Sequence, residues 1–85
     1  MDINFSSENE LYKRLLPALR TKKEELNRFG YKYITEKDIY NYLKKNIWIK
    51  STNLTLYDMV DGILNTDNLL IDAYIKTNHR EEIHE

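Results

Sequence analysis

The chain has 85 residues, no cysteine, two glycines, one proline and 32% charged residues. That excludes disulfides and thiol catalysis, and it gives one small domain with little core to spare. The formal net charge of −1 hides a segregation. Residues 11–50 carry eleven bases against four acids, a net of +7, while the first ten residues carry −3 and the residues from Ser51 onward −5.

A basic body between acidic ends has two readings. Left exposed, it is a field that attracts phosphate or acidic partners. Folded against the acidic end, it is cancelled internally, since charge runs on helices are commonly solvated faces. No apolar run approaches the ~20 residues that span a bilayer, and the N-terminus lacks the basic-then-apolar layout of a signal peptide. The expectation is a soluble cytoplasmic domain, monomeric or weakly self-associating and without membrane insertion. Its predicted organisation is an N-terminal cap or tail over 1–7, a helical domain over 8–77 and a polar C-terminal tail over 78–85.

Three capping boxes order the elements, each a hydroxyl residue followed three places later by an acid that bonds back. Ser7–Glu10 opens a first helix with apolar residues at Leu11, Leu15, Leu16, Leu19, Leu26 and Phe29. Pro17 removes a hydrogen bond inside it, so a kink or a fresh start is expected there. Gly30 is the predicted stop. Tyr31-Lys32-Tyr33-Ile34 then alternates rings and bases.

Thr35–Asp38 opens a second helix to about Asn46, and Ile47-Trp48-Ile49 reads as a short extended segment followed by a turn at Ser51-Thr52-Asn53. Thr55–Asp58 opens a third helix, with Leu56, Met59, Val60, Ile63 and Leu64 at helical spacing. Gly62 within it predicts a close approach by another backbone. Asn65-Thr66-Asp67 breaks the chain before a fourth helix from Asp67 to about Lys76, which is apolar nearly all round. The predicted fold is all-α, a single-domain bundle of about four helices, centred on Leu43, Trp48, Val60 and Leu64.

Catalysis finds no constellation. His79 and His84 stand five apart, missing the i, i+4 spacing of helical metal ligands, and no glycine-rich loop offers a phosphate cradle. Ser6, Ser7 and Ser51 occupy cap and turn positions with no histidine nearby in sequence. No enzyme activity, metal, cofactor or small-molecule substrate is expected.

Nucleic-acid binding is better motivated. Bases interleaved with flat rings suit single-stranded RNA, because cations take the phosphates and bases stack on the rings. The candidates are Arg20, Lys22, Lys23, Arg28, Tyr31, Lys32, Tyr33, Lys44, Lys45, Trp48 and Lys50. A lone tryptophan in a small domain is commonly a core anchor, and tyrosine commonly keeps its ring inward, so both roles stay open for these rings. A protein-interaction adaptor is the competing class. Its candidate contacts are Ile71 and Ile75 on the fourth helix. A helix-turn-helix reading fails on charge, since Asp58 and Asp61 on the third helix would be repelled by phosphates.

Gly30 after a basic helix, then Ile34-Thr35-Glu36, Asp38-Ile39, Leu43 and Trp48 beside lysines, form an ordered set of landmarks. Leu56, Val60-Asp61, Ile63-Leu64 and Ala73-Tyr74 continue it. This order resembles the ComN-type post-transcriptional regulators of Firmicutes, over roughly residues 11–76. It departs from them at Ile49-Lys50, where a more basic stretch is expected, and at Asp72, where glutamate is. The resemblance implies a small, helical, non-enzymatic regulator acting at the mRNA level in competence for DNA uptake. The implied partners are mRNA or an RNA-associated protein, and the polar scaffold DivIVA, with localisation at cell poles or division sites.

Overall fold

The structure, a computed structural model, describes the backbone of residues 8–83 and the side chains of residues 9–77. Ser7, and with it the first capping box, lies outside the described residues, as do the side chains of His79 and His84. The fold is all-α: α1 (Glu8–Arg28), α2 (Glu36–Asn46), a 3₁₀ turn (Trp48–Lys50), α3 (Leu56–Asn65) and α4 (Asn68–Ile83).

Helix α1 buries Leu11, Leu15, Leu19, Lys22 and Leu26, a stripe advancing by three or four residues. It crosses Pro17 as one uninterrupted helix, so the expected restart does not occur. Pro17 sits on the exposed side of α1, and Lys13, whose carbonyl the missing N–H leaves without a helical donor, is exposed as well. The helix ends at Gly30, whose φ of +96° lies in the left-handed region. Tyr31 N–H donates to the Leu26 carbonyl at 2.9 Å and Gly30 N–H to that of Asn27 at 3.1 Å, the bond pair of a Schellman motif.

Two capping boxes form as the sequence predicts. Thr35 Oγ1 accepts from Asp38 N–H at 3.2 Å while Asp38 accepts from Thr35 N–H at 2.9 Å. Thr55 and Asp58 make the same exchange at 3.0 and 3.2 Å. Asp67 caps α4, accepting from Leu69 N–H at 2.9 Å.

α1 packs against α2 and α3, and α4 packs on α2. Tyr42 and Tyr74 meet edge to face across the α2–α4 contact, their centroids 5.4 Å apart. Leu43 and Trp48 are buried as expected, but Val60 is only partly buried and Leu64 is exposed. Met59 and Ile63, one turn apart, take the inward face of α3, and Leu64 falls about 100° beyond Ile63. Residues 47–49 do not extend: they enter the 3₁₀ turn, where Lys50 N–H bonds the Ile47 carbonyl at 3.2 Å. That turn drives Trp48 into the core without a partner strand. Gly62 faces the Trp48 indole, not a backbone, and a Cβ there would meet Nε1 at 3.8 Å.

Candidate nucleic-acid interface

Burial takes three of the predicted contact residues, on α4 and α1, off the surface. Ile71 and Ile75, expected as an exposed contact pair, are core residues at 0% and 3% exposure. Being one turn apart they share a face, and that face meets the core. Leu69 and Leu70, on other sides of the helix, are the exposed large apolar residues among those described there.

Lys22 is not a surface cation either. It occupies the stripe between Leu19 and Leu26 and is 2% exposed. Its ammonium donates to the Thr66 carbonyl at 2.6 Å and to Glu25 Oε2 at 3.1 Å. Asn68 Nδ2 donates to the same Glu25 oxygen at 3.0 Å. Lys22 and Glu25 therefore pin the α3–α4 elbow to α1. The Lys22 hydrogen bond holds the Glu25 carboxyl below its usual range against the opposing effect of burial, with Asn68 and the charges of Lys22 and Arg28 helping.

Of the other candidates, Arg20, Arg28, Lys32, Lys45 and Lys50 are exposed, and Tyr33 is about half exposed. Tyr31 packs its ring partly against the core. Lys23 is bound to Glu36 of α2 at 3.5 Å. Trp48 is 2% exposed, so its ring is structural and cannot serve as an open stacking platform.

The structure joins Lys44, Lys45 and Trp48 in a single groove of about 230 Å³, together with Ile49 and Ser51. A second groove of about 250 Å³ lies on the other side of Lys44, lined by Asn9, Tyr12, Lys37, Tyr40, Asn41 and Lys44 itself. Aromatic rings back both. Tyr12 meets Tyr40 edge to face at 5.2 Å, and Tyr40 meets Trp48 at 5.8 Å. Lys37 stands over the Tyr12 ring at 4.9 Å and Lys44 over the Tyr40 ring at 5.8 Å, so cation–π attraction holds both ammonium groups to this face. Burial, then the Glu36 charge, raises the Tyr12 pKa against the opposing pull of Arg20, and the hydroxyl stays a hydrogen-bond donor.

Sequence reasoning missed Lys37, Asn41, Tyr12 and Tyr40. Lys37, Asn41 and Lys44 do stand at i, i+4 and i+7 of α2, a spacing that puts them on one face. Tyr12 and Asn9 join them only because α1 packs there.

The result is a small all-α domain in which Lys37 and Lys44 stand over the Tyr12 and Tyr40 rings. Among the described residues no group of three or more His, Cys, Asp or Glu side chains is placed to hold a metal, and no helix is long and apolar enough to cross a membrane. The chain belongs to the post-transcriptional regulator family, whose profile matches residues 9–78. No curated protein and no solved structure shows a significant match to it.

Proposed function

We propose that this protein is a non-enzymatic cytoplasmic regulator that acts at the mRNA level by contacting RNA through its basic face. The observation that carries the reading is where the described acids of the C-terminal half make their bonds. Asp58 and Asp67 cap helices, Asp61 accepts from Asn65 Nδ2 at 3.0 Å, and Asp72 pairs with Lys76 at 3.1 Å. Each is engaged locally. Within the basic segment Lys22 pairs with Glu25 and Lys23 with Glu36. Among the described residues, these local bonds and the exposure of Arg20, Arg28, Lys32, Lys45 and Lys50 favour a basic field that reaches solvent. Arg20, Arg28, Lys32, Lys45 and Lys50 then supply electrostatic affinity, and family membership supplies the regulatory setting. Control of competence genes is the process that the resemblance to ComN-type proteins suggests.

A protein adaptor is the second reading, favoured by Leu64, Leu69 and Leu70, all exposed near the α3–α4 elbow. On this reading the partner is an RNA-associated protein or a polar scaffold such as DivIVA, which would bring the regulator to cell poles or division sites. Titrating the purified protein with single-stranded RNA across a salt series separates the two. Direct contact gives binding that weakens with a log–log slope of roughly −0.7 per phosphate. An adaptor gives no such binding, and loses its protein partner when Leu69→Asp and Leu70→Asp are introduced.

A further inference from the structure

We infer that the two grooves on either side of Lys44 form one nucleotide-binding site for single-stranded RNA, with an unpaired base in the groove beside Ile49 and the adjoining phosphate in the groove of Lys37. The inference rests on the RNA-contact reading above and assigns it a location.

The two grooves differ in chemistry as the two halves of a nucleotide do. The first is walled by Ile49, which is 74% exposed, and by the edge of Trp48, with the stems of Lys44 and Lys45 at its sides. Its volume of about 230 Å³ falls below the ~300–1,000 Å³ of sites for drug-sized ligands, which suits one ring system. Ser51 Oγ donates to the Ile47 carbonyl at 3.2 Å and keeps lone pairs that can accept from a base edge.

The second groove is lined by residues with polar side chains, among them Asn9, Asn41, Tyr12, Lys37 and Lys44. Among the described residues no carboxylate lines either groove. Lys37 and Lys44 are seven residues apart on α2, about 10 Å along the axis, with the Asn41 amide between them. Lys44 borders both grooves and would bridge the base to its phosphate.

Duplex RNA cannot enter such a site, because its bases are stacked and paired. An acidic peptide would satisfy the lysines but would leave the Ile49 groove unused.

The test uses the full chain with a fluorescent single-stranded oligoribonucleotide, the same oligonucleotide with abasic positions, its duplex, and polyglutamate. Ile49→Ala alters an exposed side chain, and thermal melting confirms an unchanged fold. It should weaken single-strand binding about 4-fold, roughly one buried methylene's worth of apolar contact with the base, with no change in salt slope. On the abasic oligonucleotide Ile49→Ala should change nothing. Lys37→Gln should shallow the salt slope by about 0.7 on both oligonucleotides. Salt-sensitive RNA binding that ignores both substitutions overturns this site while leaving RNA contact intact. Equal affinity for the duplex, or an equal effect of Ile49→Ala on polyglutamate, overturns the base pocket. Absence of all salt-sensitive RNA binding overturns the RNA-contact reading itself.

Discussion

Replacing Lys22 tests the packing logic most sharply, because a lysine at a core position is destabilising unless its charge is met. Its ammonium has two partners, the Thr66 carbonyl at 2.6 Å and Glu25 Oε2 at 3.1 Å, and the whole side chain is 2% exposed. Hydrogen bonds to a charged group contribute about 1.5–3 kcal/mol, and breaking a buried ion pair by removing one partner costs about 3–5 kcal/mol. Glu25 keeps 33% of its side chain exposed and can rehydrate, which pulls the expected loss toward the lower figure. Lys22→Ala should therefore cost about 3 kcal/mol, from a total stability of about 4–13 kcal/mol for 85 residues. Lys22→Met fills the same volume and leaves mainly the Thr66 carbonyl without its donor, so about 1–2 kcal/mol is expected. Urea denaturation reads both as midpoint shifts at constant m-value. Neither variant should alter the salt slope of RNA binding. A Lys22→Ala stability within about 0.5 kcal/mol of the wild type would mark a surface residue and refute the reasoning.

The Glu25 pKa is lowered on folding, so its contribution is fully present above the ordinary carboxylate value of 4.5 and fades as pH falls through the lowered one. Acid denaturation of Glu25→Gln should accordingly show a shallower loss of stability across that window than the wild type. The two glycines should respond in opposite directions. Gly30→Ala forces a side chain to φ +96° and should cost about 1–2 kcal/mol, whereas Gly62→Ala, with 3.8 Å to Trp48, should stabilise by up to about 1 kcal/mol through helix propensity. Trp48→Ala should cost about 3–5 kcal/mol by thermal melting, because the ring is buried, edge to face with Tyr40 and beside Gly62.

Helix ends are the most legible part of the fold, because their signals are local. Thr35–Asp38, Thr55–Asp58 and Gly30 each act within a few residues and need no tertiary partner. The inward faces are harder to read. α4 is apolar on most sides, so its sequence alone does not say whether Ile71 or Leu70 looks in; packing on α2 decides. Lys22 is legible in principle, because the stripe through Leu11, Leu15, Leu19 and Leu26 requires an inward residue at that position. Its charge argues for the surface while its register argues for the core, and the register wins because Thr66 and Glu25 meet the ammonium. For the candidate site, Lys44 and Lys45 are visible as bases beside a tryptophan. Lys37, Tyr12 and Tyr40 are not, since the face they share is made by α1 against α2. Trp48 shows the same limit: its β-rich neighbours suggest extension, and a 3₁₀ turn buries it instead.

Whether RNA meets the face around Lys44 and Lys45 is decided most directly by one comparison. The salt dependence of single-stranded RNA affinity is measured for the wild type and for the Lys44→Gln, Lys45→Gln double variant. With both ammonium groups on phosphates, the log–log slope should become shallower by about 1.4. An unchanged slope, or no salt-sensitive RNA binding by the wild type at low ionic strength while a protein partner is retained, would contradict it.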